Sequence, residues 1–148
     1  MSIKTKLYLD IDGVVLGQVS RNDPTIVLAK YIKDFLEFCT SNFDCYWLTT
    51  HCKDDNSDNV IKYLSKYSDD LTLEYFQKIK PSKWTTLKTE AIELTSDFYW
   101  IDDAPLSVER DILNKHNKSK SLIQINTRKN QDDLLKAIGL LKVELSVS

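Results

Sequence analysis

The chain of 148 residues is poor in the residues that punctuate or cross-link polypeptides: three glycines, three prolines, three cysteines, one methionine and two histidines. With so little Gly and Pro, no linker, repeat or low-complexity segment marks off a second domain, and one globular unit over residues 1–148 is expected. Cys39, Cys45 and Cys52 are odd in number and lack CxxC spacing. That argues against a disulfide framework or a zinc site and for reduced thiols in a cytosol. The two histidines, His51 and His116, also disfavour zinc. No apolar run approaches the length of a membrane span, and Met1–Lys6 carries no apolar leader, so the expected location is cytoplasmic with no membrane partner. Neither sign of charge dominates, with 20 basic against 22 acidic residues. The balance does not advertise nucleic acid, although a local basic patch is compatible with it.

What the sequence does contain is a series of short apolar runs that end in oxygen. Residues 5–11 (TKLYLDI), 44–49 (DCYWLT) and 97–102 (DFYWID) read as strands, as does 121–126 (SLIQIN). Between them, helical spacing predicts a helix opening at Asp23-Pro24 and running to about Cys39, and a second carrying Val60, Ile61, Tyr63 and Leu64 behind an Asn56 or Ser57 cap. Further helices are expected over 82–94, 106–115 and 131–142. Residues 71–76 (LTLEYF) alternate like an edge strand. This β-α alternation predicts an α/β fold, a three-layer α/β/α sandwich around a mostly parallel, Rossmann-like sheet.

In such a sheet, ligands bind beyond the carboxyl ends of the strands. One strand there delivers Asp10 and Asp12, which a period of two places on the same side; a second delivers Thr49 and Thr50; a third delivers Asp102 and Asp103. Carboxylates crowded together raise one another's pKa unless a cation lies among them, so a hard cation is implied, with Mg2+ the best fit to oxygen ligands and a phosphate. A carboxylate beside that ion can attack phosphorus, and a nearby lysine and hydroxyl would neutralise and orient the transferring group. Taken singly, each residue has a plainer account. Asp10 and Asp12 could form an Asx turn before Gly13, Thr49 and Thr50 could simply close a strand, and Asp103 could cap a helix near Pro105. His51 reads as a surface-loop histidine that could instead touch substrate, Trp47, Trp84 and Trp100 as packing, and Arg128 in "NTRKN" as either a phosphate contact or a solvated turn.

Three motifs together make the chain resemble a small, phosphatase-type member of the haloacid dehalogenase superfamily: Leu9-Asp10-Ile11-Asp12-Gly13, Tyr46-Trp47-Leu48-Thr49 and Tyr99-Trp100-Ile101-Asp102-Asp103. The resemblance implies Asp10 as nucleophile and metal ligand, and Asp12 as general acid and base that also lends its backbone carbonyl to Mg2+. It further implies Thr49 as a phosphoryl contact and Asp102, with Asp103 beside it, as the rest of the metal site. The family's motif lysine has two candidates, Lys83 and Lys88 in "KIKPSKWTTLKTEAIEL". Thr50 and Arg128 are further candidates for substrate contact. The spacing leaves no room for a sizeable cap domain, which suits a large phosphorylated substrate such as a protein or a nucleic-acid end. The expected activity is therefore an Mg2+-dependent phosphatase. A catalytically silent binding protein, a receiver-like phosphoacceptor domain and a metal-dependent nuclease stay open as alternatives.

Overall fold

The computed structural model describes residues 3–147. In chain order its elements are β1 (Lys6–Leu9), β2 (Leu16–Ser20), β3 (Asp23–Leu28), α1 (Ile32–Asn42), β4 (Asp44–Trp47), α2 (Asp58–Leu64), α3 (Asp70–Gln77), β5 (Phe98–Asp102), α4 (Ser107–Lys115), β6 (Leu122–Gln124) and α5 (Asp133–Ser146). Four strands form a parallel sheet in the order β4-β1-β5-β6, with Leu9 registered against both Trp47 and Ile101, and Ile101 against Ile123. The chain moves from β1 to one neighbour, β4, and then returns to the other side for β5 and β6. The strand order thus reverses at β1, where an α/β sheet opens a crevice.

The expected α/β sandwich is what forms, and the strand sequences show why. Along β1, β4 and β5, Leu7, Leu9, Cys45, Trp47, Tyr99 and Ile101 face a core built with Phe35 and Leu36 of α1, Val60 and Leu64 of α2, Phe76 of α3 and Leu134 and Leu141 of α5. The alternate residues Tyr8, Tyr46, Leu48, Phe98 and Trp100 face a second core closed by Leu113 of α4 with Trp84 and Ile92. Both faces are buried, so the strands are apolar throughout rather than alternating. The three cysteines are free and buried, and burial pushes the Cys45 thiol up to about 12. Among the described residues, no helix is long and apolar enough to cross a membrane.

Three expected elements take other forms. The helix expected from Asp23 is the antiparallel hairpin β2-β3; Asp23 Oδ1 accepts from the Thr25 N–H and hydroxyl, and β-branched Thr25, Ile26 and Val27 favour the ladder. Helix α1 begins only at Ile32, after Tyr31 turns through φ 68°. The edge strand expected at 71–76 is α3, started by Asp69, whose carboxylate accepts the Thr72 N–H at 2.8 Å. The helix expected over 82–94 is an extended strap with one 3-10 turn, Lys88–Ala91. Its backbone is claimed elsewhere: Glu90 accepts the N–H groups of Thr85 and Leu87, and the Trp84 indole donates to the Cys52 carbonyl at 3.2 Å. The edge of β4 is met instead at Lys80, which exchanges backbone hydrogen bonds with Cys45 and Trp47.

Candidate functional site

The carboxyl ends of β1, β4 and β5 are tied together by backbone hydrogen bonds that continue the sheet, Leu48 N–H to the Leu9 carbonyl and Asp10 N–H to that of Ile101. Parallel pairing in register therefore sets Asp10 beside Asp102, with Thr49 one residue beyond the Leu48 that stands opposite Asp10. Gly13, at φ 80°, then turns the chain back so that its N–H reaches the Leu16 carbonyl. A Cβ at this position would be driven into the Asp103 carboxylate. Gly13→Ala should accordingly lose about 2 kcal/mol or more of stability and displace Asp103, read as a lower Tm together with a smaller Mg2+-induced rise in Tm.

Asp10, Asp102 and Asp103 form a group whose ligand oxygens lie within 4.8 Å of one another, and the first two are buried. Burial, and then the charge of Asp102, push the Asp10 carboxyl up to about 7. Burial followed by Asp102 also raises Asp103. Lys88 answers this crowding. Its Nζ lies 2.6 Å from Asp102 Oδ2 and 3.3 Å from Asp10 Oδ2, with only 13% of its side chain exposed. Burial works against the Lys88 ammonium, but the two carboxylates outweigh it and hold the lysine above its ordinary range. Lys83, the other candidate, is exposed and forms no ion pair among the described residues; its backbone bridges to Asp54 instead.

Two further anchors hold the acids. Asp10 Oδ1 accepts the Ile11 N–H at 2.8 Å, and Asp102 Oδ1 accepts the Ala104 N–H at 2.9 Å. Thr49 is fully buried; its oxygen accepts the His51 N–H at 3.3 Å, which leaves the hydroxyl hydrogen free to donate. Thr50 is exposed and lines a cavity of about 360 Å³ with Lys53, Trp84, Lys88 and Leu106. The three oxygen donors fit a hard cation such as Mg2+, and no imidazole or thiol stands among them.

The Asp12 carboxylate lies outside that group, turned toward His51, Arg128 and Tyr63, the last of which has no chemistry legible in the sequence. Tyr63 donates its hydroxyl to Asp12 Oδ1 at 2.9 Å, His51 Nε2–H donates to Oδ2 at 2.9 Å, and the two rings stack at 4.2 Å. Burial, and then this bond to Asp12, push the Tyr63 hydroxyl up to about 12. Arg128 approaches Asp12 Oδ1 at 3.8 Å. Nothing in the helical spacing of Tyr63 distinguishes it from a packing residue, because its role depends on how α2 sits against β1.

Glu109 is the other missed residue. It is 2% exposed and accepts the Lys88 N–H at 2.6 Å and the Leu106 N–H at 2.8 Å, so the start of α4 clamps the backbone that carries Lys88. A Glu at the third position of a helix is a capping signal legible in "PLSVE". Its second partner is not local. Glu109→Ala should cost about 2 kcal/mol, because two amides lose their acceptor, and should lower kcat more than it raises KM by loosening Lys88. Thermal melts and steady-state kinetics read the two effects separately. Compared with models of known protein families and with curated proteins, the chain matches none.

Proposed function

We propose that this chain is a magnesium-dependent phosphomonoester hydrolase of the haloacid dehalogenase type that works through an aspartyl-phosphate on Asp10. The observation that carries this reading is Lys88, a buried ammonium set between Asp10 and Asp102 at the carboxyl edge of a parallel sheet. A cation fixed there offsets carboxylate charge that would otherwise repel a phosphate. Thr49 supports the reading with a buried hydroxyl free to donate to a phosphoryl oxygen. Asp10, Asp102 and Asp103, with the backbone carbonyl of Asp12, would hold Mg2+, which when bound supplies charge neutralisation and orientation of the phosphate.

In the first step a carboxylate oxygen of Asp10 attacks phosphorus, the bond from phosphorus to the leaving oxygen breaks, and Asp12, which enters the step protonated, gives that oxygen its proton. Water then attacks the phosphorus of the aspartyl-phosphate and Asp12 takes its proton. The bond to Asp10 breaks, and inorganic phosphate leaves with both side chains restored. His51 and Tyr63 hold the Asp12 carboxyl in one orientation for both transfers. The hairpin β2-β3 is the sole insertion between Asp12 and α1, which suits a phosphorylated substrate as large as a protein or a nucleic-acid end. Free buried thiols are in keeping with work in a reducing cytoplasm.

Hydrolysis of an aryl phosphate tests the reading. Turnover is expected in Mg2+ and not in EDTA, and Lys83→Ala, an exposed position, should leave the rate within about twofold. Failure of aryl, sugar, nucleotide and phosphopeptide monoesters alike to turn over in Mg2+ would overturn it.

A further inference from the structure

Beside Asp12, and outside the carboxylate group, lies a cavity of about 420 Å³ lined by Gln18, Arg21, Asn126, Arg128 and Lys129. Three of these residues are cations and none is an acid. Arg21 and Lys129 form no ion pair among the described residues, and Arg128 meets only Asp12, at 3.8 Å. Arg21 and Lys129 are thus exposed cations left free to meet an anion from outside, beside an Arg128 that already reaches the Asp12 carboxylate.

The cavity is also built rather than accidental. Thr127, which is 1% exposed, ties the loop after β6 to the segment that leads into β2, and the Gln18 amide donates to the Ser20 carbonyl at the hairpin tip at 2.9 Å. The Thr127 N–H donates to the Gly13 carbonyl at 2.9 Å and its hydroxyl to the Val14 carbonyl at 3.1 Å. Gly17 permits the contact, since a Cβ there would meet the Thr127 carbonyl oxygen at 2.8 Å. In the loop, Asn126 Oδ1 accepts the N–H groups of Arg128 and Lys129, which fixes the backbone from which both cations project. Its amide Nδ2 has no partner among the described residues and is left to donate.

We propose that this cavity is a second oxyanion subsite, taking a second phosphate carried by the same substrate molecule whose first phosphate is attacked at Asp10. The inference rests on the phosphatase reading above and adds the substrate class: a molecule bearing two phosphates, one of them a terminal monoester. Arg128 joins the two places, because it lines the cavity and reaches Asp12. Guanidinium forks match phosphate oxygens in pairs, and three cations balance the near-double charge of a phosphate better than that of one carboxylate. The second phosphate can belong to a small bisphosphate or to the backbone of a nucleic-acid end, and the chemistry recognised is the same.

The test compares kcat/KM in Mg2+ for an aryl phosphate, a small alkane bisphosphate and a short single-stranded DNA ending in a phosphomonoester. At least one of the latter two should exceed the aryl phosphate by about tenfold, chiefly through KM. Whichever of the two is preferred names the source. In Arg21→Gln/Lys129→Gln that advantage should vanish while aryl phosphate turnover stays within about twofold. An advantage that survives the double substitution, or no advantage in the wild type, overturns the proposal. Should the wild type turn over none of the three, the phosphatase reading fails by itself and calorimetric titration of tripolyphosphate in EDTA decides the subsite. Affinity about tenfold above that of the double variant keeps it, and equal affinity removes it.

Discussion

Asp10→Asn should abolish phosphatase turnover, by about a thousandfold or more, and at the same time make the metal-free protein more stable at neutral pH. The loss of rate follows from replacing the attacking carboxylate with an uncharged amide of little nucleophilicity. The gain in stability follows from the position of Asp10, which burial and Asp102 hold at about 7 against an ordinary value of 3.8. A carboxyl raised in the folded state contributes its full stability below the unfolded pKa and loses it as pH rises through the folded one. The metal-free wild type should thus weaken from about pH 4 to pH 7, by at most about 4 kcal/mol from this group. Asn carries no charge and has no such slope, although it forgoes the contact with Lys88. Melting curves in EDTA at about pH 5 and pH 8 should show the variant's advantage growing with pH. An unchanged difference would mean that Asp10 is not under that strain. Excess Mg2+ should raise the Tm of the wild type and raise that of the variant far less, since one of the three carboxylate ligands becomes an uncharged amide.

Lys88→Met should produce the second large effect, with the opposite sign on stability. Among the described residues the ammonium is the one cation in contact with Asp10 and Asp102, both of which are buried, and Met keeps the length of the side chain without its charge. Leaving buried carboxylates without their partner should cost the metal-free protein about 3 kcal/mol near neutral pH. Turnover should fall by about a hundredfold or more, because the phosphoryl group loses a fixed donor. Mg2+ should recover more stability in this variant than in the wild type, since the ion then answers the carboxylate charge alone. Chemical denaturation with and without Mg2+ measures that difference. An equal metal-induced gain in both proteins would show that Lys88 does not compensate the acids.

Lys88 also marks the limit of what a linear reading of this chain can reach. The stretch from Ser82 to Leu94 has apolar residues at helical spacing, and within a helix Lys83 stands nearest the start. The segment instead runs extended, because Glu90 gathers the amides of Thr85 and Leu87 while Trp84 buries its ring and bonds to Cys52. That geometry carries Lys83 out to solvent and Lys88 in to the carboxylates. The hairpin β2-β3 and helix α3 escaped the reading for a similar reason. Period alone does not distinguish a short strand from a short helix, and the side-chain caps of Asp23 and Asp69 decided each locally.

The sequence by itself determined the sheet and its acid-tipped edge. Strands buried on both faces must be apolar throughout, so the runs ending in Asp10, Thr49 and Asp102 announce themselves, and parallel pairing can only bring their ends to one side. The surroundings of those tips were decided by the tertiary structure alone. Whether a lysine meets the acids, whether Tyr63 and His51 hold Asp12, whether Glu109 clamps the strap and whether Arg21 lines one cavity with Arg128 and Lys129 depend on segments far apart in the chain. Such contacts depend on how helices and loops settle on the sheet, and residue spacing carries no record of that.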